Sequence, residues 1–121
     1  MAHLNIEIKA RCYNQEEIRE ILKSKDAEFK GIDNQIDTYF NVNNGRLKLR
    51  VGNIENSLIY YNRANKSGPK QSNVTLFRYD KGSTLKDVLV NSLGIFVVVK
   101  KQREIYFIDN VKFHIDKVDN L

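Results

Sequence analysis

Residues 35–51 read Gln-Ile-Asp-Thr-Tyr-Phe-Asn-Val-Asn-Asn-Gly-Arg-Leu-Lys-Leu-Arg-Val. Ile36, Thr38 and Phe40 alternate with Asp37 and Tyr39; Leu47, Leu49 and Val51 alternate with Arg46, Lys48 and Arg50. A side-chain period of two is that of a strand with two unlike faces. Asn43-Asn44-Gly45 lies between, and Asn-Gly is a strong signal for a tight hairpin. The stretch predicts strands over 35–42 and 46–51, the second carrying Arg46, Lys48 and Arg50 on one face.

The pattern extends in both directions. Leu4 to Cys12 alternates strictly, with Asn5, Glu7, Lys9 and Arg11 on one face of a first strand. Asn14 with Glu17 resembles a capping box. Ile18, Ile21 and Leu22 then recur at helical spacing, which predicts a helix over 15–28 stopped near Gly31. Downstream, Gly52 to Ser57 reads as a turn and Leu58 to Arg63 as a fourth strand. Gly68-Pro69 marks a loop over 64–72, and Val74 to Tyr79 a short fifth strand. Thr84 and Gly94 bracket a short helix. Ile95 to Ile108 and Val111 to Val118 are strands joined at Asp109-Asn110. The order β-α-β-β-β-β-α-β-β predicts an α+β fold with a mostly antiparallel sheet.

At 121 residues the chain is expected to be one domain, 1–121. Hydrophobic residues at 41% and charged residues at 29% exclude a disordered class. The longest apolar run, Ile95 to Val99, falls far short of the ~20 residues that span a bilayer. The first residues enter the alternating pattern directly, without a signal peptide. The single cysteine, Cys12, permits neither an internal disulfide nor a zinc pattern. These features predict a cytoplasmic protein. The net charge of +5 favours anionic partners.

The location of that charge is the informative part. Arg46/Lys48/Arg50 and Lys101/Arg103 project together from their strands. Arg63 ends another, Glu7 and Lys9 line the first, and Lys112, His114 and Asp116 share a face of the last. From alternation alone these are either solvated outer faces or the lining of an anion-binding groove. The groove reading has three supports. Same-sign triplets repel one another until an anion relieves them. Carboxylates at a few positions suit a metal-bridged phosphate. Two helices with apolar stripes need a sheet face to cover. Arg offers planar bidentate grips, Lys a point charge, and Mg²⁺ or Mn²⁺ binds carboxylate and phosphate oxygens.

Asn5-Ile-Glu7-Ile-Lys9 resembles the ExExK signature that opens the CYTH (triphosphate tunnel) superfamily. Later blocks agree in order: Gln35-Ile-Asp37-Thr-Tyr39-Phe40, Gly45-Arg-Leu-Lys48-Leu-Arg50, Leu58-Ile-Tyr-Tyr-Asn-Arg63, Val99-Lys-Lys101-Gln-Arg103 with Tyr106, and Val111-Lys-Phe-His114-Ile-Asp116-Lys-Val118. The likeness spans nearly the whole chain. It is greatest to small bacterial proteins described as class IV adenylyl cyclase-like or thiamine triphosphatase-like. The resemblance implies a β-barrel or strongly curved sheet forming a triphosphate tunnel, with helices packed outside. It implies that Lys48, Arg50, Arg63, Lys101, Arg103 and Arg46 bind phosphates. Glu7, Asp116 and Asn5 would serve Mg²⁺ or Mn²⁺, with Lys9 and Glu7 catalytic. The implied reaction is conversion of ATP to cyclic AMP and pyrophosphate. The alternatives are a triphosphatase acting on thiamine or inorganic triphosphate, or a non-catalytic triphosphate-binding module.

Two departures from the family pattern matter. Asn5 replaces the first glutamate of the signature. The closing acidic ExE strand does not follow Asp119-Asn120-Leu121, so the expectation is a fragment, an open tunnel, or one completed by another chain through dimerisation or strand exchange. Nucleic-acid binding is disfavoured: the bases lie on strand faces mixed with acids, and no RNP or helix-turn-helix pattern occurs. His114 is either a general base or ligand beside Asp116, or an ordinary strand-face residue. Tyr39, Tyr60, Tyr61 and Tyr106 either stack a ring of the ligand or serve packing.

Overall fold

The computed structural model describes residues 7–10, 15–63 and 72–119. Asn5, Asn14, both ends of the expected first strand and the Pro69 loop lie outside the described residues. The elements in chain order are β1 (Glu7–Ala10), α1 (Gln15–Ser24), β2 (Glu28–Phe40), β3 (Arg46–Val51), β4 (Ser57–Arg63), β5 (Ser72–Arg78), α2 (Leu85–Leu93), β6 (Ile95–Ile108) and β7 (Val111–Val118). The class is α+β. The β2–β3, β3–β4, β4–β5 and β6–β7 ladders are antiparallel, and β1 joins β7 in parallel. Among the described residues β1 pairs with β7 alone and β5 with β4 alone, so the described strands do not close a barrel.

The chain forms two compact units, Met1–Asn34 with Lys101–Leu121, and Gln35–Lys100. In the first, β7 lies between β1 and β6. A short turn at Asp109-Asn110, with Asp109 at φ 51, reverses the chain. Leu22 of α1, Ile105 and Ile115 are its buried apolar residues. Arg19 of α1 makes a two-pronged ion pair with Glu104 on β6, Nε to Oε1 at 2.8 Å and Nη2 to Oε2 at 2.5 Å. Tyr106 also donates to Glu104 at 2.8 Å, and its ring meets Phe29 at 5.2 Å.

Here α1 is shorter than its sequence pattern predicts. Asp26 takes φ 55, Asp26 N–H donates to the Lys23 carbonyl and Ala27 N–H to the Leu22 carbonyl. Those two bonds form a Schellman C-cap with Asp26 at the left-handed position. The helix therefore ends at Ser24 rather than 28, and β2 begins at Glu28, seven residues before the predicted strand. Gly31, read as a helix stop, instead lies inside β2 at φ 134.

In the second unit the order is β2-β3-β4-β5. Leu49 and Phe40 are buried on one face. The β2–β3 connection is a five-residue loop, 41–45, not the expected tight hairpin. Asn41 turns away from β3: its N–H donates to the Gly94 carbonyl and its side-chain amide to the Leu93 carbonyl. The second helix has the predicted bounds and Gly94 at its C-terminus, but the Thr84 hydroxyl makes no capping bond. It buries none of its residues fully: Leu85, Leu89 and Val90 are half-buried and Val88 is 58% exposed.

Two predictions follow from these contacts. A Cβ at Gly45, which lies at φ +66, would sit 2.7 Å from both the Tyr60 hydroxyl and the Tyr61 carbonyl. Gly45→Ala is expected to destabilise the protein by about 1–3 kcal/mol in urea denaturation; an unchanged midpoint would contradict the loop geometry. The Arg19 hydrogen bond holds the Glu104 carboxyl below its ordinary value of 4.5, against the opposing effect of burial. A depressed carboxylate contributes stability that is present above the unfolded value and lost as pH falls through the folded one. The stability gap between wild type and Glu104→Gln is therefore expected to be widest near neutrality. It should narrow as pH drops below 4.5, followed by thermal denaturation at several pH values.

Candidate functional site

Antiparallel Cα partners point to the same side of a sheet, so strand register decides which charges meet. Asp37 is the Cα partner of Arg50. Its carboxylate accepts Arg50 Nε on Oδ1 and Nη2 on Oδ2, both at 3.0 Å. Lys48, two residues earlier on the same face, places Nζ 3.5 Å from Oδ2. The pair is deeply set: Asp37 is 1% exposed and Arg50 7%. Glu55 adds a carboxylate 3.7 Å from Arg50 Nη1 and accepts from Gln35 at 2.7 Å.

The first unit repeats the device with the chain order reversed. Asp116 is the Cα partner of Arg103. It accepts Nε on Oδ1 at 2.9 Å and Nη2 on Oδ2 at 3.0 Å, and Lys101 Nζ stands 3.7 Å from Oδ2. Each unit thus carries a Lys-x-Arg strand segment whose arginine is held by an aspartate on the neighbouring strand. In both, thirteen residues separate the arginine from its aspartate.

The electrostatics differ between the two. Burial pushes the Lys48 ammonium below the ordinary lysine value; Asp37 opposes that shift and Arg50 adds to it. Burial alone would raise the Asp116 carboxyl, but the hydrogen bond and charge of Arg103, with His114 and Lys101, hold it below its ordinary value. Two rings flank Lys48, whose Nζ lies 5.4 Å from the Tyr39 centroid and 5.7 Å from that of Tyr61. Beside them opens a cavity of about 600 Å³ lined by Tyr39, Gly45, Arg46, Tyr61, Asn62, Val97 and Val99.

The predicted site residues are placed as follows. Lys48, Arg50 and Arg46 lie in the second unit, the first two on Asp37 and the third exposed, its guanidinium 5.9 Å from the Phe96 ring centroid. Lys101, Arg103 and Asp116 meet in the first. In the β1–β7 ladder Glu7 is the Cα partner of Lys112 and Lys9 of His114; on β4, Arg63 is opposite Ser72. Asn5 lies outside the described residues. Asp37, Tyr39 and Tyr61 received no firm site role from the sequence, although the Gln35–Phe40 block carried the first two. A signal for Asp37 was available: in a β2–β3 hairpin, register alone brings it opposite Arg50.

Among the described residues no group of three His, Cys, Asp or Glu side chains could hold a metal ion. Asp116 has both oxygens on Arg103, each retaining a second lone pair. That donor set does not fit a resident ion caged by protein. A divalent ion there would take most of its ligands from phosphate oxygens and water.

The CYTH domain family matches residues 3–121. Among solved structures, the chain is similar to the PH1012 protein from Pyrococcus horikoshii OT3, at TM-score 0.62 and 25% identity, over 86% of this chain and 65% of that one. A conserved hypothetical protein from Pyrococcus furiosus matches at TM-score 0.62 and 20% identity, over 88% of this chain and 67% of that one. The PH1819 protein from Pyrococcus horikoshii OT3 matches at 0.55 and 20%, over 88% and 68%. The chain therefore spans about two thirds of the length of these structures. No curated protein matches it. No helix among the described residues is long and apolar enough to cross a membrane.

Removing the aspartate of the more buried device leaves two cations without their shared counter-charge. Asp37→Ala is expected to cost about 3–5 kcal/mol in chemical denaturation, the range for breaking a buried pair from one side. A cost near that of an exposed pair, below about 1 kcal/mol, would show that the charges are effectively solvated.

Proposed function

Because the chain belongs to the CYTH domain family, we propose that it binds a triphosphate together with Mg²⁺ or Mn²⁺ and catalyses a phosphoryl reaction of the class IV adenylyl cyclase-like type. The observation that carries this reading is the aspartate-held Lys-x-Arg device found in each unit. Its cations are preset at hydrogen-bonding geometry before any anion arrives, so little reorganisation is needed when one does. Lys48, Arg50, Lys101 and Arg103 bind phosphate oxygens, with Arg46 and Arg63 contributing further charge. A triphosphate beside Lys48 favours the ammonium form and so offsets the effect of burial.

Glu7, Asn5 and Asp116 are assigned to the metal and Lys9 to orientation of the reacting group. When bound, the ion neutralises phosphate charge and polarises a phosphoryl oxygen. In the cyclase reaction the ribose 3′-hydroxyl attacks the α-phosphate and pyrophosphate leaves. In a triphosphatase water attacks the terminal phosphate. Both need the same cradle and in-line geometry.

The test is incubation of the chain with ATP, inorganic triphosphate and thiamine triphosphate, each with Mg²⁺ and with Mn²⁺. The expected products are cyclic AMP and pyrophosphate from ATP. Orthophosphate release instead makes the protein a triphosphatase. Ligand-induced thermal stabilisation without turnover makes it a binding module. Neither turnover nor stabilisation with any of the three removes the triphosphate reading.

A further inference from the structure

Arg50 faces two carboxylates, and they meet it differently. Asp37 accepts Nε and Nη2 at 3.0 Å each, within hydrogen-bond range. Glu55 Oε1 stands 3.7 Å from Nη1, outside that range. The same oxygen accepts the Gln35 amide at 2.7 Å. Gln35 lies on β2, two residues before Asp37, and is 1% exposed. Glu55 itself lies in the turn between β3 and β4, which the Gly52 N–H spans by donating to Asn56 Oδ1 at 3.1 Å. A buried amide on one strand thus holds this carboxylate back from the guanidinium.

The stand-off decides what Glu55 does. A carboxylate serving to grip Arg50 would accept one of its N–H groups, as Asp37 does. At 3.7 Å Glu55 offers Nη1 its charge without a hydrogen bond. The buried end of the cation row then sets two cations, Lys48 and Arg50, against two carboxylates, Asp37 and Glu55. Asp37 is 1% exposed, and its loss would leave buried charge uncompensated. The Glu55 side chain is 21% exposed, and Arg50 keeps Asp37 without it. The fold depends on the first carboxylate. The second lowers the net charge that an arriving anion meets at Arg50.

We propose that Glu55 is a built-in electrostatic brake on anion binding: its charge weakens the hold of Arg50 on phosphate and so eases release of a phosphate-containing product. The proposal rests on the triphosphate reading above and adds to it how the affinity of that site is regulated. A cradle strong enough to orient linked phosphates also holds the pyrophosphate or phosphate it produces, and product release limits many enzymes. A carboxylate fixed beside one arginine lowers both affinities without disturbing the geometry of the grip. Glu55 acts through Arg50.

The experiment is calorimetric titration of the wild-type chain, Glu55→Gln and Glu55→Ala with two anions in the presence of Mg²⁺, at low and at high salt. The anions are pyrophosphate and the non-hydrolysable imido analogue of inorganic triphosphate. Glutamine keeps the shape of the side chain and a carbonyl oxygen for the Gln35 amide; alanine removes the charge without adding an amide. Both variants are expected to bind both anions about fivefold more tightly at low salt, the scale of one partly exposed charge pair. The gain should shrink at high salt, because screening weakens the repulsion that Glu55 exerts. A merely structural role would weaken binding at either salt. Unchanged or weaker binding in both variants overturns the brake and leaves the phosphate reading intact, and so does a gain that high salt does not reduce. If neither the wild type nor either variant binds the triphosphate analogue, the phosphate reading falls, and the brake with it.

Discussion

Arg50 is 7% exposed and lies among residues as buried as Leu49 at 0% and Ile59 at 7%. A guanidinium cannot lose its proton to escape such a setting, so a counter-charge has to come from the fold. Asp37 supplies it from the neighbouring strand through two parallel hydrogen bonds. That requirement constrains everything around it. The β2–β3 register must bring residue 37 opposite residue 50, the five-residue loop must keep that register, and Gly45 must take its positive φ at the end of the loop. The same constraint acts on β6 and β7, where the Asp109-Asn110 turn sets Arg103 opposite Asp116.

An ion pair of this kind stabilises a fold weakly, because desolvation offsets much of the attraction. Its value lies in geometry. Arginines held at both nitrogens lose little further freedom on meeting an anion, and an aspartate shared with a nearby lysine keeps the cations together despite their repulsion. The repulsive triplet Arg46/Lys48/Arg50 is thus relieved in two ways. Asp37 neutralises its buried members, while Arg46, at the exposed end, lies against the Phe96 ring.

Much of this was legible in the sequence because it depends on period and punctuation. Apolar patterning between turn signals gave the bounds of β3, β6 and β7 to the residue and put the charges on common faces. The class IV-like blocks gave the family. What escaped depends on single backbone conformations or on pairing. Nothing in the side-chain pattern of Lys25-Asp26-Ala27 announces a left-handed Asp26, whereas Gly31 advertised a stop that the chain does not use. Asn43-Asn44-Gly45 advertised a tight hairpin, but the Asn41 bonds to Leu93 and Gly94 draw the loop open, and those partners are more than fifty residues away. The role of Asp37 was hidden for the same reason: on its own strand it is one polar residue in an alternating run. Only the register makes it a counter-ion.

Lys48 brings these constraints together. A lysine that belonged only to an ion pair would have its ammonium stabilised by Asp37, but here burial outweighs that stabilisation and Arg50 adds to the deficit. The two tyrosine rings flanking the ammonium offer a cation partial compensation through their π faces, weaker than a full negative charge. Such a group gains more from an incoming anion than an exposed lysine would, because the anion offsets a burial that Asp37 compensates only in part. The same rings that flank Lys48 form walls of the adjoining cavity.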